Sequence, residues 1–167
     1  MLTQKVVGYV SQSTTLLTQE GQCYAGLACI GRQFRAIGIC PQGIFTEANG
    51  QRQIVKAGNY PKLLLRVTND CLHNSHHFAY STDGEHFTTV GDPFPMRAGY
   101  WKGIRVALFC YGTDGQAQFD YFHRQPLLWE ADYPPTSTSP LSLLTSHFSL
   151  HPSPFTVKGD LQSPLHP

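Results

Sequence analysis

The sequence predicts an all-β fold, an antiparallel β-sandwich of the jelly-roll kind, and three observations carry that prediction. Short runs of alternating apolar and polar residues recur along the first three quarters of the chain, each bounded by Gly, Asn, Asp or Pro. No stretch carries the 3.6-residue apolar period of a helix. The segment Trp101–Phe122, WKGIRVALFCYGTDGQAQFDYF, reads as two strands with apolar residues on both faces, as expected of strands buried between sheets.

The predicted strands follow one another at turn-bounded spacing. Residues 5–10 alternate and open the fold. The stretch 23–40, CYAGLACIGRQFRAIGIC, predicts a hairpin, with strands over 23–31 and 33–40 and the reversal at Gly31-Arg32. A further strand falls over 52–57. LLLRV at 63–67, within a strand over 62–68, is dense enough in apolar residues for a central position. Strands over 76–81 and 86–90 flank Asp83-Gly84, a pair that favours a two-residue type I′ turn. The last two, 104–111 and 116–123, are expected to be joined by a tight turn through Gly112, Asp114 and Gly115.

The folded unit is therefore expected over residues 5–124. Most of the 12 prolines fall beyond it, in a Pro-, Ser- and His-rich tail over 125–167 (PPTSTSP, HPSP, SPLHP). Such a tail cannot propagate a helix and supplies few ladder donors, so the ordering cost of roughly 1–2 kcal/mol per residue goes largely unmet and a poorly ordered segment is predicted.

Composition excludes several function classes. A net charge of +1, with basic residues scattered singly, gives no footprint for nucleic acid. No apolar run reaches membrane-spanning length, and the N-terminus alternates instead of presenting a charged and then an apolar region, which predicts a cytoplasmic protein with no membrane partner. Five cysteines, odd in number and without C-x-x-C spacing, read as reduced and mostly buried.

Motifs with chemical content are few. His73, His76 and His77 form an H-x-x-H-H cluster, but on a strand alternation turns His76 and His77 to opposite faces, so a solvated polar loop is the expected reading and zinc the alternative. The run Ser81–Phe87 falls one residue short of an Asp-box turn and reads as a plain hairpin with Phe87 in the core. Glycosidic hydrolysis needs two facing carboxylates; the acids here lie mostly in turns, and no catalytic residue is predicted. Asp120 differs because it lies inside a strand, where it requires an edge, a hydrogen-bonding partner or a cation. Asp120 is thus the candidate ligand for a structural calcium ion, and no other cofactor is required. Tyr100 and Trp101, just ahead of a strand, are the candidate carbohydrate-stacking residues, with a plug at the end of the sandwich as the structural alternative for Trp101.

Taken together, FAYSTDGEHFTTVG, WKGIRVALFCYG and QAQFDYF resemble the C-terminal concanavalin A-like β-sandwich of glycoside hydrolase family 43 enzymes, the β-xylosidases and α-L-arabinofuranosidases. The family pattern has an early A-G-L strand (Ala25-Gly26-Leu27), a Y-S-x-D-G-x-x-F hairpin (Tyr80 to Phe87), a W-x-G strand entry (Trp101, Gly103) and a closing F-D-Y-F (Phe119 to Phe122). The resemblance implies a domain that packs on a catalytic propeller, lends a loop to the substrate pocket and carries no catalytic residue itself. It also implies that the sequence begins inside the sandwich, and it offers no counterpart for the tail. The expected function is a non-catalytic accessory module of such a hydrolase, with the catalytic domain as partner. Alternatives are a stand-alone module binding xylo- or arabino-oligosaccharides, or a structural interaction domain prone to homo-oligomerise through an uncovered face.

Overall fold

The structure is a computed structural model that describes residues 1–98 and 103–128 together with the backbone strand at 155–158. The described residues form ten strands and no helix: β1 (Leu2–Lys5), β2 (Val10–Ile30), β3 (Phe34–Cys40), β4 (Gly43–Ala48), β5 (Gln51–Ala57), β6 (Lys62–Asp70), β7 (Ser75–Ser81), β8 (Thr88–Pro95), β9 (Arg105–Leu128) and β10 (Phe155–Lys158). All pairings are antiparallel.

Two strands organise the whole. β2 and β9 run beside each other from Ile30↔Arg105 to Val10↔Leu128, and each belongs to both layers of the sandwich. The later half of β2 continues through β3 and β4 to β5, while the first part of β9 is edged by β1. The earlier half of β2 continues through β6 and β7 to β8, while the middle of β9, from Gln116 to Phe119, is edged by β10. One continuous sheet is thereby folded over on itself, with the core enclosed between its two halves.

This arrangement corrects the hairpin expected at Gly112–Gly115. The stretches 104–111 and 116–123 are not antiparallel partners but successive parts of one strand, and the register shift between Gln22 and Tyr24 marks a bulge where the ribbon turns from one layer to the other. Gly112 makes the corner. Its φ is 144°, and a Cβ there would lie 2.9 Å from Cys23 Cα, so the backbones approach too closely for a side chain. Gly112→Ala is expected to cost about 1–3 kcal/mol of stability in urea unfolding, from strain at positive φ and the forced shift of β2. A neutral substitution would show that the corner is not held there.

The main core gathers inward-facing residues of both layers: Leu27, Ile37, Ile39, Val106 and Leu108 from one, Leu17, Leu63, Leu65, Phe78 and Phe119 from the other. A second cluster covers the opposite face of the first layer, where Gly26 pairs with Gly38 and the absence of side chains lets Phe45 and Phe109 pack with ring centroids 6.4 Å apart. Tyr24 and Tyr111 stack at 5.3 Å on that face, capped by Arg52 with its guanidinium 4.4 Å from the Tyr24 ring centroid.

The 81–88 connection is also corrected. Asp83 does not have positive φ; only Gly84 does, at 90°, so the turn is not type I′. The Asp83 carboxylate instead accepts the N–H groups of Glu85 and His86 at 2.9 and 2.8 Å and the Ser81 hydroxyl at 2.8 Å. Those backbone donors, His86 first, hold its carboxyl well below the usual carboxylate range. Phe87 leaves the core and packs under Arg66, whose guanidinium lies 3.6 Å from the ring centroid. All five cysteines are free, with Cys23, Cys29 and Cys40 buried. No helix among the described residues is long and apolar enough to cross a membrane.

Candidate functional site

Tyr100 and Trp101, the stacking residues expected from the sequence, lie outside the described residues. Asp120 lies on β9 at a second bulge. Thr15 pairs with Phe122 and Leu17 with Phe119, so Leu16 faces two residues, Asp120 and Tyr121. Phe119 and Phe122 both pack on the main core, a spacing of three that strict alternation forbids. The bulge supplies the extra residue and turns Asp120 and Tyr121 outward together. Thr15 Oγ1 ties it down by donating to the Tyr121 carbonyl at 2.6 Å. The Asp120 carboxylate accepts from Gln118 Nε2 at 3.1 Å. No group of three or more His, Cys, Asp or Glu gathers anywhere among the described residues.

Beside that bulge, the outer face of the second layer carries a groove of about 210 Å³. Strand alternation places its floor: Gln12 and Thr14 on β2, Leu64 and Arg66 on β6, and Tyr121, His123 and Gln125 on β9 are each two residues apart. Gly84 and Phe87 wall one side from the loop that Asp83 shapes. Arg66 Nε donates to Thr14 Oγ1 at 3.2 Å, and Gln12 Nε2 donates to Thr68 Oγ1 at 3.2 Å. Partial burial pushes the Tyr121 phenol up, helped by the neighbouring Asp120 charge. No carboxylate lines this groove, so the two facing acids that glycosidic hydrolysis requires, about 5 to 9.5 Å apart, are missing from it.

A second polar cluster lies inside the sandwich. His76 Nδ1 and Asn69 Oδ1 are 2.7 Å apart, so the ring nitrogen donates, and Cys29 Sγ stands 3.7 Å from the same nitrogen. A thiol, an imidazole and an amide in contact are the ingredients of a cysteine nucleophile, but the environment is wrong for one. Burial pushes the Cys29 thiol above its ordinary range and His76 down to about 4, leaving both neutral at physiological pH. The adjoining void, about 10 Å³ between Cys29, Gln33, Arg35 and Phe94, has room for a water and nothing larger. The cluster is a structural one. As alternation requires, His76 faces inward and His77 does not, while His73 pairs with Asp70 at 2.7 Å.

A family model described as the β-xylosidase C-terminal concanavalin A-like domain matches residues 1–125. A curated protein of Xylanibacter ruminicola bearing the provisional name β-xylosidase is 52% identical over 118 residues, which are 71% of this chain and 22% of the relative. The chain thus spans about a fifth of that relative's length. Among solved structures, a bifunctional GH43-CE protein of Bacteroides eggerthii superposes with a TM-score of 0.63 at 24% identity, over 74% of this chain and 19% of that one. A functionally unknown protein of Saccharomyces cerevisiae superposes with a TM-score of 0.55 at 17% identity, over 73% of this chain and 72% of that one.

Proposed function

This chain belongs to the family of β-xylosidase C-terminal concanavalin A-like domains, and on that premise we propose that it is a non-catalytic accessory β-sandwich of a family 43-type glycoside hydrolase, packing on a catalytic propeller and helping to shape its substrate pocket. One observation supports this most directly: in a relative 52% identical to this chain the shared segment is only 22% of the length, so the shared fold accompanies a much larger body. The chemistry of the described residues agrees. The outer groove lacks carboxylates, and the buried Cys29–Asn69–His76 cluster holds its thiol protonated and its imidazole neutral. Acid and base for glycosidic cleavage would then come from the propeller.

The test is an assay of this chain alone with aryl β-xyloside and aryl α-L-arabinofuranoside. Hydrolysis at the buffer rate is expected. Turnover well above that rate, retained through further purification, overturns the non-catalytic reading.

A further inference from the structure

The geometry points to the outer-face groove of the second layer as a binding subsite for one pyranose unit of a neutral oligosaccharide. The glycoside-hydrolase reading supplies only the class of ligand; the site itself follows from its residues. A volume of about 210 Å³ is below the roughly 300–1,000 Å³ of pockets that enclose drug-sized molecules, so the groove suits a single ring with its chain neighbours in solvent.

The groove's polar groups match a polyol. Gln12 and Gln125 present amides, which both donate and accept, as does each sugar hydroxyl. Gln12 spends Nε2 on Thr68 and keeps its carbonyl oxygen for a hydroxyl donor. Arg66 spends Nε on Thr14 and its face on Phe87, and its Nη groups make no hydrogen bond to the described residues. Tyr121 supplies the apolar surface. Unlike Tyr24 and Tyr111, which cover one another, its ring pairs with no other ring among the described residues, so one face can take the C–H side of a pyranose. Charge favours a neutral sugar: Asp120, turned outward beside Tyr121 by the bulge, and Arg66 both act on the Tyr121 phenol with opposite sign, so the groove carries no one-sided charge from this pair. This site is built from β2, β6 and β9 and is separate in sequence from Tyr100 and Trp101.

Isothermal titration of the full chain with xylobiose tests the assignment, with glucuronate as the anionic comparison. Saturable binding of xylobiose, stronger than that of glucuronate, is expected. Tyr121→Ala should weaken it by roughly fivefold to tenfold, the loss of one ring contact, while Tyr121→Phe retains it. Absence of saturable xylobiose binding, tighter binding of glucuronate, or unchanged affinity in Tyr121→Ala overturns the proposal. Should Tyr121→Ala fail to fold, amide shift mapping of the unaltered chain decides: xylobiose must perturb residues around Gln12, Arg66 and Tyr121, and perturbation elsewhere counts against the groove. Failure of the accessory reading looks different. A chain that binds xylobiose but not a catalytic domain overturns that reading and leaves this one, and the converse result overturns this one alone.

Discussion

Phe119→Ala is expected to lower the unfolding free energy by about 3–5 kcal/mol, the cost of emptying a large aromatic site in a core that cannot fully collapse. The Phe119 ring is fully buried, its residue pairs with Leu17 across the β2–β9 ribbon, and it stands directly before the bulge that turns Asp120 and Tyr121 outward. A domain of this size is stable by roughly 5–15 kcal/mol, so one substitution removes about a fifth or more of the total. Phe122→Ala, at a partly buried position on the far side of the same bulge, should cost less. Urea unfolding of both variants checks this, and a smaller loss for Phe119 than for Phe122 would contradict the assigned register.

Acid should destabilise the protein through His76 before the carboxylates matter. Burial holds its imidazole down to about 4, against an ordinary value of 6.5, with His77 adding a smaller repulsion. Above pH 6.5 both folded and unfolded chains carry it neutral and its contribution is complete. As pH falls below 6.5 the unfolded chain takes up a proton that the folded chain refuses until about pH 4, so stability drops across that window by about 3 kcal/mol and then levels off for this group. The groups around it are Asn69 on β6, Cys29 on β2, Phe94 on β8 and Arg35 on β3, none of which offers an anion to hold an imidazolium. His76→Gln should flatten the loss between pH 6.5 and 4 while leaving the further decline at lower pH, where Asp70 and Asp83 surrender their depressed carboxyls. Equal slopes for the two proteins in chemical unfolding across this window would contradict the assignment.

The strands whose sequences alternate cleanly were legible: β3, β6 and β7 fall where the Leu, Ile and Phe positions place them, and the reversal at Gly31-Arg32 separates β2 from β3. The first half of β2 was not, because its inward positions are Ser11, Ser13 and Thr15, polar residues that give no apolar period even though they are buried. The Gly112–Gly115 stretch has turn chemistry, yet pairing with β2 on both sides of it overrides the local signal and uses the glycines to bend a continuous strand. The same limit applies to the candidate site. Asp120 stood out as an acid within a strand, but nothing in FDYF announces the bulge that exposes both it and Tyr121. The groove joins Gln12, Arg66 and Tyr121 from three strands that are distant in sequence, so no spacing rule could have assembled it.

The partnership with a catalytic domain is the central claim, and sedimentation velocity tests it most directly. The Xylanibacter ruminicola relative, with the stretch matching this chain deleted, would be mixed with the full chain. A complex sedimenting faster than either component, at one-to-one stoichiometry, is the predicted result. Two independent species at every concentration tested would contradict it.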